Sequence, residues 1–158
     1  MYAWLFTLLL LLTTTWAASD HPIETAIASA MRADAPAALV LVLEDVHPLY
    51  GGARFDLTAD GTLTRTDVPR AQQGDVVSHT RLDSPDRTAL LALLMGLEVW
   101  EQRVEDRTPV PGESRAYLGV RLDGAEASFW EWANDLPSNE RMVRVQKWLD
   151  ARLPAGAP

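Results

Sequence analysis

The chain has 158 residues, a formal net charge of −8 and 47% hydrophobic residues. That is enough apolar material for a packed core, while the acidic balance argues against nucleic acid or an anionic membrane as partner. With no cysteine, disulfides and Cys-linked lipid anchors are excluded, so an exported domain must stand on its core alone.

Residues 1–19, MYAWLFTLLLLLTTTWAAS, carry no charged side chain, hold an apolar run over residues 3–12 and end in small residues. This is the pattern of a secretory signal peptide, with an n-region that has only the amino terminus for charge. The run is short of the roughly 20 residues that cross a bilayer. Counting the Thr-rich stretch and Trp16 gives the alternative, an uncleaved anchor. Cleavage after Ala17 or Ser19 meets the small-residue requirement, whereas cleavage after Ala18 sets Trp16 at the third position before the cut. Removal leaves residues 20–158, the length of one ordinary domain, expected in the periplasm or secreted.

Residues 20–35 read as a helix, with Asp20 as N-cap, Pro22 in the first turn and Ile23, Ile27 and Met31 at helical spacing; Pro36 ends it. ALVLVLEDV, residues 38–46, is a continuous apolar run that suits a strand buried on both faces. After the turn HPLYGG, residues 53–68 form a hairpin with Asp60-Gly61 at its tip, a dipeptide suited to a type I′ turn. That register sets Arg54 opposite Asp67 and Asp56 opposite Arg65, with Phe55, Leu57 and Ala59 on the other face. A short strand at 78–82 leads to Ser84-Pro85, an N-cap followed by proline at the first helical position. The helix that follows is apolar almost all round from Ala89 to Met95 and ends at Gly96, as a central buried helix would.

An acidic, Pro-containing loop spans residues 101–114. Residues 115–132 form a second hairpin with Asp123-Gly124 at the tip, and Ser138 caps a helix reaching about residue 152, with Met142, Val145 and Leu149 on one stripe. Residues 154–158 read as a disordered tail. Hairpin-then-helix thus occurs twice. The expected fold is α+β: a mainly antiparallel sheet of two β-hairpins plus an extra N-terminal strand, with two or three helices packed on one face.

In the second hairpin, strand parity sorts the side chains. Leu122 pairs with Ala125, Val120 with Ala127 and Leu118 with Phe129 on one apolar face, so Phe129 is core. On the opposite face Arg121 pairs with Glu126, Gly119 with Ser128, Tyr117 with Trp130 and Arg115 with Trp132. The candidate binding residues are therefore Arg115, Tyr117, Trp130 and Trp132, which set aromatic rings beside a cation–π donor. Two coverings fit them: the chain's own loop or N-terminal helix, or another molecule.

Other constellations point less far. Asp45 and His47 share a strand face and offer half of a metal site, with surface turn chemistry as the plainer reading. His79 stands alone on its strand. Cleavage after Ala18 would expose Ser-Asp-His, whose nitrogens suit square-planar Cu(II) or Ni(II). Arg141, Arg144 and Lys147 form a basic stripe balanced by Glu140 and Asp150. No nucleophile elbow or phosphate-cradling loop occurs, so no catalytic residue, cofactor or metal is assigned.

The order GGARFDLTADGTLTR, RLDSPDRTALLALL, VW and TPVPGESRAYLGVRLDG followed by a capped helix, over about residues 50–153, resembles small bacterial domains of the emfourin type. The resemblance implies protease inhibition. The chain adds to that layout a strand at 39–46, a long loop at 68–76 and the signal sequence. Two functions follow as expectations: an exported, non-catalytic domain binding an unknown protein or small molecule, and an inhibitor whose loop 101–114 enters a protease cleft. An unrecognised enzyme built around Asp45, His47 or His79 is the third.

Overall fold

The computed structural model describes residues 21–33, 38–70, 74–103, 107–108 and 110–153. The expected signal peptide and the 154–158 tail lie outside the described residues. In chain order the elements are α1 (Pro22–Arg32), β1 (Val40–His47), β2 (Gly51–Leu57), β3 (Thr62–Val68), β4 (Val76–Arg81), α2 (Ser84–Gly96), β5 (Arg115–Leu122), β6 (Ala125–Trp132) and α3 (Glu140–Asp150). A 3₁₀ turn at Leu136–Ser138 precedes α3. The strands make one open antiparallel sheet ordered β4-β3-β2-β1-β5-β6, which with the helices is the expected α+β architecture.

The apolar run of β1 takes the centre, where it joins the two hairpins by pairing with β2 on one side and β5 on the other. It is buried on one face only, which corrects the two-sided expectation. Leu41 and Leu43 are buried, whereas Val40 and Val42 are half-buried. The reason is the layer arrangement: Leu41, Leu43, Phe55, Leu57, Leu63, Leu118, Leu122 and Phe129 share a single core with Ile23 and Ile27 of α1, Leu90, Leu91 and Leu94 of α2, and Met142, Val145 and Leu149 of α3. Helices thus cover one face. For the same reason α2 is buried along one side rather than all round, with Ala89 and Ala92 exposed, and Met31 lies at the exposed end of α1.

Each helix is capped one position away from the expected residue. The Asp83 side chain accepts from the Asp86 N–H, Asn139 accepts from the Met142 N–H, and His21 caps α1 through Nδ1. In the first two cases the neighbouring serine loses to a residue whose longer side chain reaches the second or third helical amide.

The two hairpins turn differently, although both carry Asp-Gly. Asp123 (φ 50°) and Gly124 (φ 82°) are both left-handed, as a type I′ turn requires, and β5–β6 takes the expected register from Leu122↔Ala125 to Arg115↔Trp132. At the other tip only Gly61 has positive φ (93°), and the Thr58 N–H donates to the Thr62 carbonyl at 2.9 Å, which is a three-residue bulged loop. The register therefore moves by one residue. Phe55 faces Arg65 and Arg54 faces Thr66, in place of the expected Arg54–Asp67 and Asp56–Arg65 pairs. The slip carries Arg65 to the helix side, where it lies 5.0 Å over the Phe55 ring and bonds Asp67 (2.8 Å), Asp150 of α3 and the Leu153 carbonyl. Three partners compensate the desolvation of that guanidinium.

Candidate functional site

The face of the sheet away from the helices is where the candidate residues lie. Register aligns its side chains in rows across the strands: Thr66, Arg54, Glu44, Tyr117 and Trp130 form one, and Thr64, Asp56, Val42, Gly119 and Ser128 the next. Arg54 bridges strands by donating to Asp56 (2.7 and 2.8 Å) and Glu44 (2.8 Å), so the β1–β2 half of the face is an ion-paired, closed surface. The β1–β5–β6 half is not closed. A groove of about 540 Å³ opens there along Val40, Val42, Gly119, Arg121, Glu126 and Ser128, with Tyr117 at one end.

Two residues shape that groove. Gly119 has no side chain, and a β-carbon at its position would come within 2.8 Å of the Tyr117 hydroxyl and 2.9 Å of the ring. The Tyr117 ring therefore leans along its own strand over Gly119 rather than against Trp130, its partner across the ladder. It stays 42% exposed.

The indoles behave otherwise. Trp130 and Trp132 meet edge to face with centroids 5.1 Å apart, and the Arg115 guanidinium lies over both at 4.0 and 4.5 Å. Trp132 is only 7% exposed. Its cover comes from the chain itself: Arg107 sits 5.2 Å over the indole and is tied to Glu113 (2.6 and 3.0 Å) and Asp135 (2.7 Å). The Glu113 carboxylate is buried and also accepts from the Val110 and Asn134 N–H groups. Arg107 beside it holds the carboxyl below the usual carboxylate range. Gln102 then pairs with the backbone of Trp130 in both directions, at 2.9 and 3.0 Å, like one more residue of a strand.

Of the four candidate residues, Tyr117 and Arg115 are thus exposed, Trp130 is half-buried beneath Arg115, and Trp132 belongs to the interior of the loop. The open face also includes groove residues that the hairpin alone does not reveal. Val40 and Val42 reach it through the β1–β5 pairing, a contact of long sequence separation without a local signal. Glu131, on the core parity, accepts from Trp132 N–H and Asn139.

The remaining candidates separate. His47 accepts from Leu49 N–H through Nδ1 (3.0 Å), leaving Nε2–H to donate to the Gly112 carbonyl (3.2 Å), so the ring is a clasp between two turns. Asp45 makes no hydrogen bond with it, and burial pushes the Asp45 carboxyl up. His79 is exposed on edge strand β4. His21 stacks near Trp100 (6.4 Å), while Ser19 and Asp20 of the Ser-Asp-His motif lie outside the described residues. Among the described residues no three His, Asp or Glu side chains gather as metal ligands, and no helix is long and apolar enough to cross a membrane. The basic stripe of α3 divides as well. Arg141 lies over Phe129 (4.5 Å) and donates to the Glu98 and Glu101 carbonyls, Arg144 pairs with Glu140, and Asp150 serves Arg65.

No protein-family model matches the chain, and a search of curated proteins returns no match.

Proposed function

We propose that the protein is an exported, non-catalytic binding domain that takes its ligand on the open sheet face, in the groove between Tyr117 and the Arg121–Glu126 pair. The observation that carries this reading is the groove itself: a face that none of the described helices covers, an aromatic ring 42% exposed at one end and a charged cross-strand pair at the other. An apolar floor with a few flanking polar groups is the usual make-up of a recognition site. Arg115, held by two indoles, supplies a guanidinium with no carboxylate partner among the described residues, two residues before Tyr117 on the same face of β5. The test is capture from a cell-envelope extract with immobilised protein. Tyr117→Ala and Gly119→Val should each abolish capture while the far-UV spectrum and melting temperature stay within a few degrees of the parent. Capture unaffected by both substitutions would remove the groove as the site.

A second reading, protease inhibition, is favoured by the state of the loop before β5. Among its described residues, Arg107 is bonded to Glu113 and Gly112 to His47, while Val110 stays 52% exposed. Residues already held by such bonds lose little entropy on entering a cleft. Stoichiometric slowing of a co-secreted protease, weakened by Val110→Asp and indifferent to Tyr117→Ala, would select this reading over the first.

A further inference from the structure

Among the described residues, the edge strand β6 is capped at its far end, whereas β4 is open along its length. On β6, parity set by the Leu122↔Ala125 pair turns the backbone groups of Trp130 and Trp132 outward. Gln102 bonds both groups of Trp130, and Glu131 takes the Trp132 N–H. On the other side, the Leu82 N–H donates to the Gly61 carbonyl at 2.9 Å, which fixes the parity of the β3–β4 pair. Val76, Ser78 and Thr80 bond to β3, and Val77, His79 and Arg81 direct their N–H and C=O groups away from the sheet. Among the described residues nothing bonds those groups. The strand VVSHTR carries neither proline nor lysine, two of the devices that blunt an edge, and Val77 is 60% exposed.

We propose that β4 pairs with β4 of a second copy of this chain, antiparallel about a two-fold axis at Ser78. Two central registers use the outward groups and keep the faces aligned. An axis at His79 sets that histidine against itself and Arg81 against Val77. An axis at Ser78 sets Val77 against His79, Val76 against Thr80 and Arg81 against Asp75, each twice. Asp75 and Arg81 are both exposed, and neither has an ion-pair partner within its own copy among the described residues. Opposite charges facing across a ladder select the second register. Ser78 lies on that axis and is 2% exposed within its own copy. The axis brings it beside its own symmetry mate in a non-hydrogen-bonded pair, where facing side chains lie closest. Because the axis is normal to the sheet, both helix layers fall on one side and the two open faces become continuous.

The test uses the full chain as the cell processes it. Sedimentation equilibrium should give a concentration-dependent dimer, and Val77→Pro, which loses only an outward N–H, should give a folded monomer. The chain has no cysteine, so Ser78→Cys introduces one thiol. Its two copies face each other about 4.5 Å apart at Cα, and mild oxidation should link them. Arg81→Asp should raise the dimer dissociation constant about tenfold, with Asp75→Arg in the same chain restoring it. A wild-type monomer up to ~0.5 mM, or a dimer indifferent to Val77→Pro, overturns the proposal. Oxidative linkage through His79→Cys but not through Ser78→Cys overturns the register.

Discussion

Tyr117 and Trp132 sit on the same face of one hairpin, and their burial assigns them opposite tasks. Trp132 is walled by Arg107, Arg115 and Trp130, so Trp132→Ala should open a cavity and cost about 3 kcal/mol in urea unfolding. Tyr117 lies over Gly119 and is 42% exposed, so Tyr117→Ala should cost less than about 1 kcal/mol. Equal losses would mean that Tyr117 is structural. Asp60 gives a second residue-scale test. Its carboxylate accepts from the Thr58 hydroxyl and from the Thr62 N–H and hydroxyl, which together draw its pKa down to about 2. A depressed acid contributes stability above its ordinary range and loses it as pH falls through the folded value, here between about pH 4 and 2. An NMR titration of the Asp60 carboxyl should show a midpoint near 2; a midpoint near 4 would mean that the turn bonds are not held in solution.

At the scale of elements, the legible parts of the fold were those with local determinants. The Asp123-Gly124 turn fixes β5–β6 because both residues take positive φ, and α3 shows its buried stripe at Met142, Val145 and Leu149. Asp60-Gly61 misled because Asp60 uses its side chain to brace a bulged loop, an option the dipeptide shares with the type I′ turn. The resulting one-residue slip hid the buried Arg65 network, which depends on α3 some 85 positions away. Of the site, the aromatic face was readable by parity, whereas the groove floor from β1 and the cover over Trp132 come from contacts distant in sequence. Gln102 is the clearest instance: nothing near it marks a residue that caps a strand edge. Gln102→Ala should speed hydrogen exchange at the Trp130 amide by about fivefold, as loss of one bond of roughly 1 kcal/mol implies, while leaving Phe129 unchanged. Unchanged exchange at Trp130 would mean that the cap is not populated.

For the whole molecule, one layer of helices on one face of a six-stranded sheet gathers the described core on that face. The covered face holds the core that a chain without disulfides requires, and the proposed binding surface is the other face. The central claim is that the uncovered face binds. Its most direct test is amide chemical-shift mapping of the protein with the partner that it captures. The account predicts perturbations concentrated at Val40, Val42, Gly119, Arg121 and Ser128. Perturbations confined to α1, α2 and α3, or to Val110 and its neighbours, would contradict it.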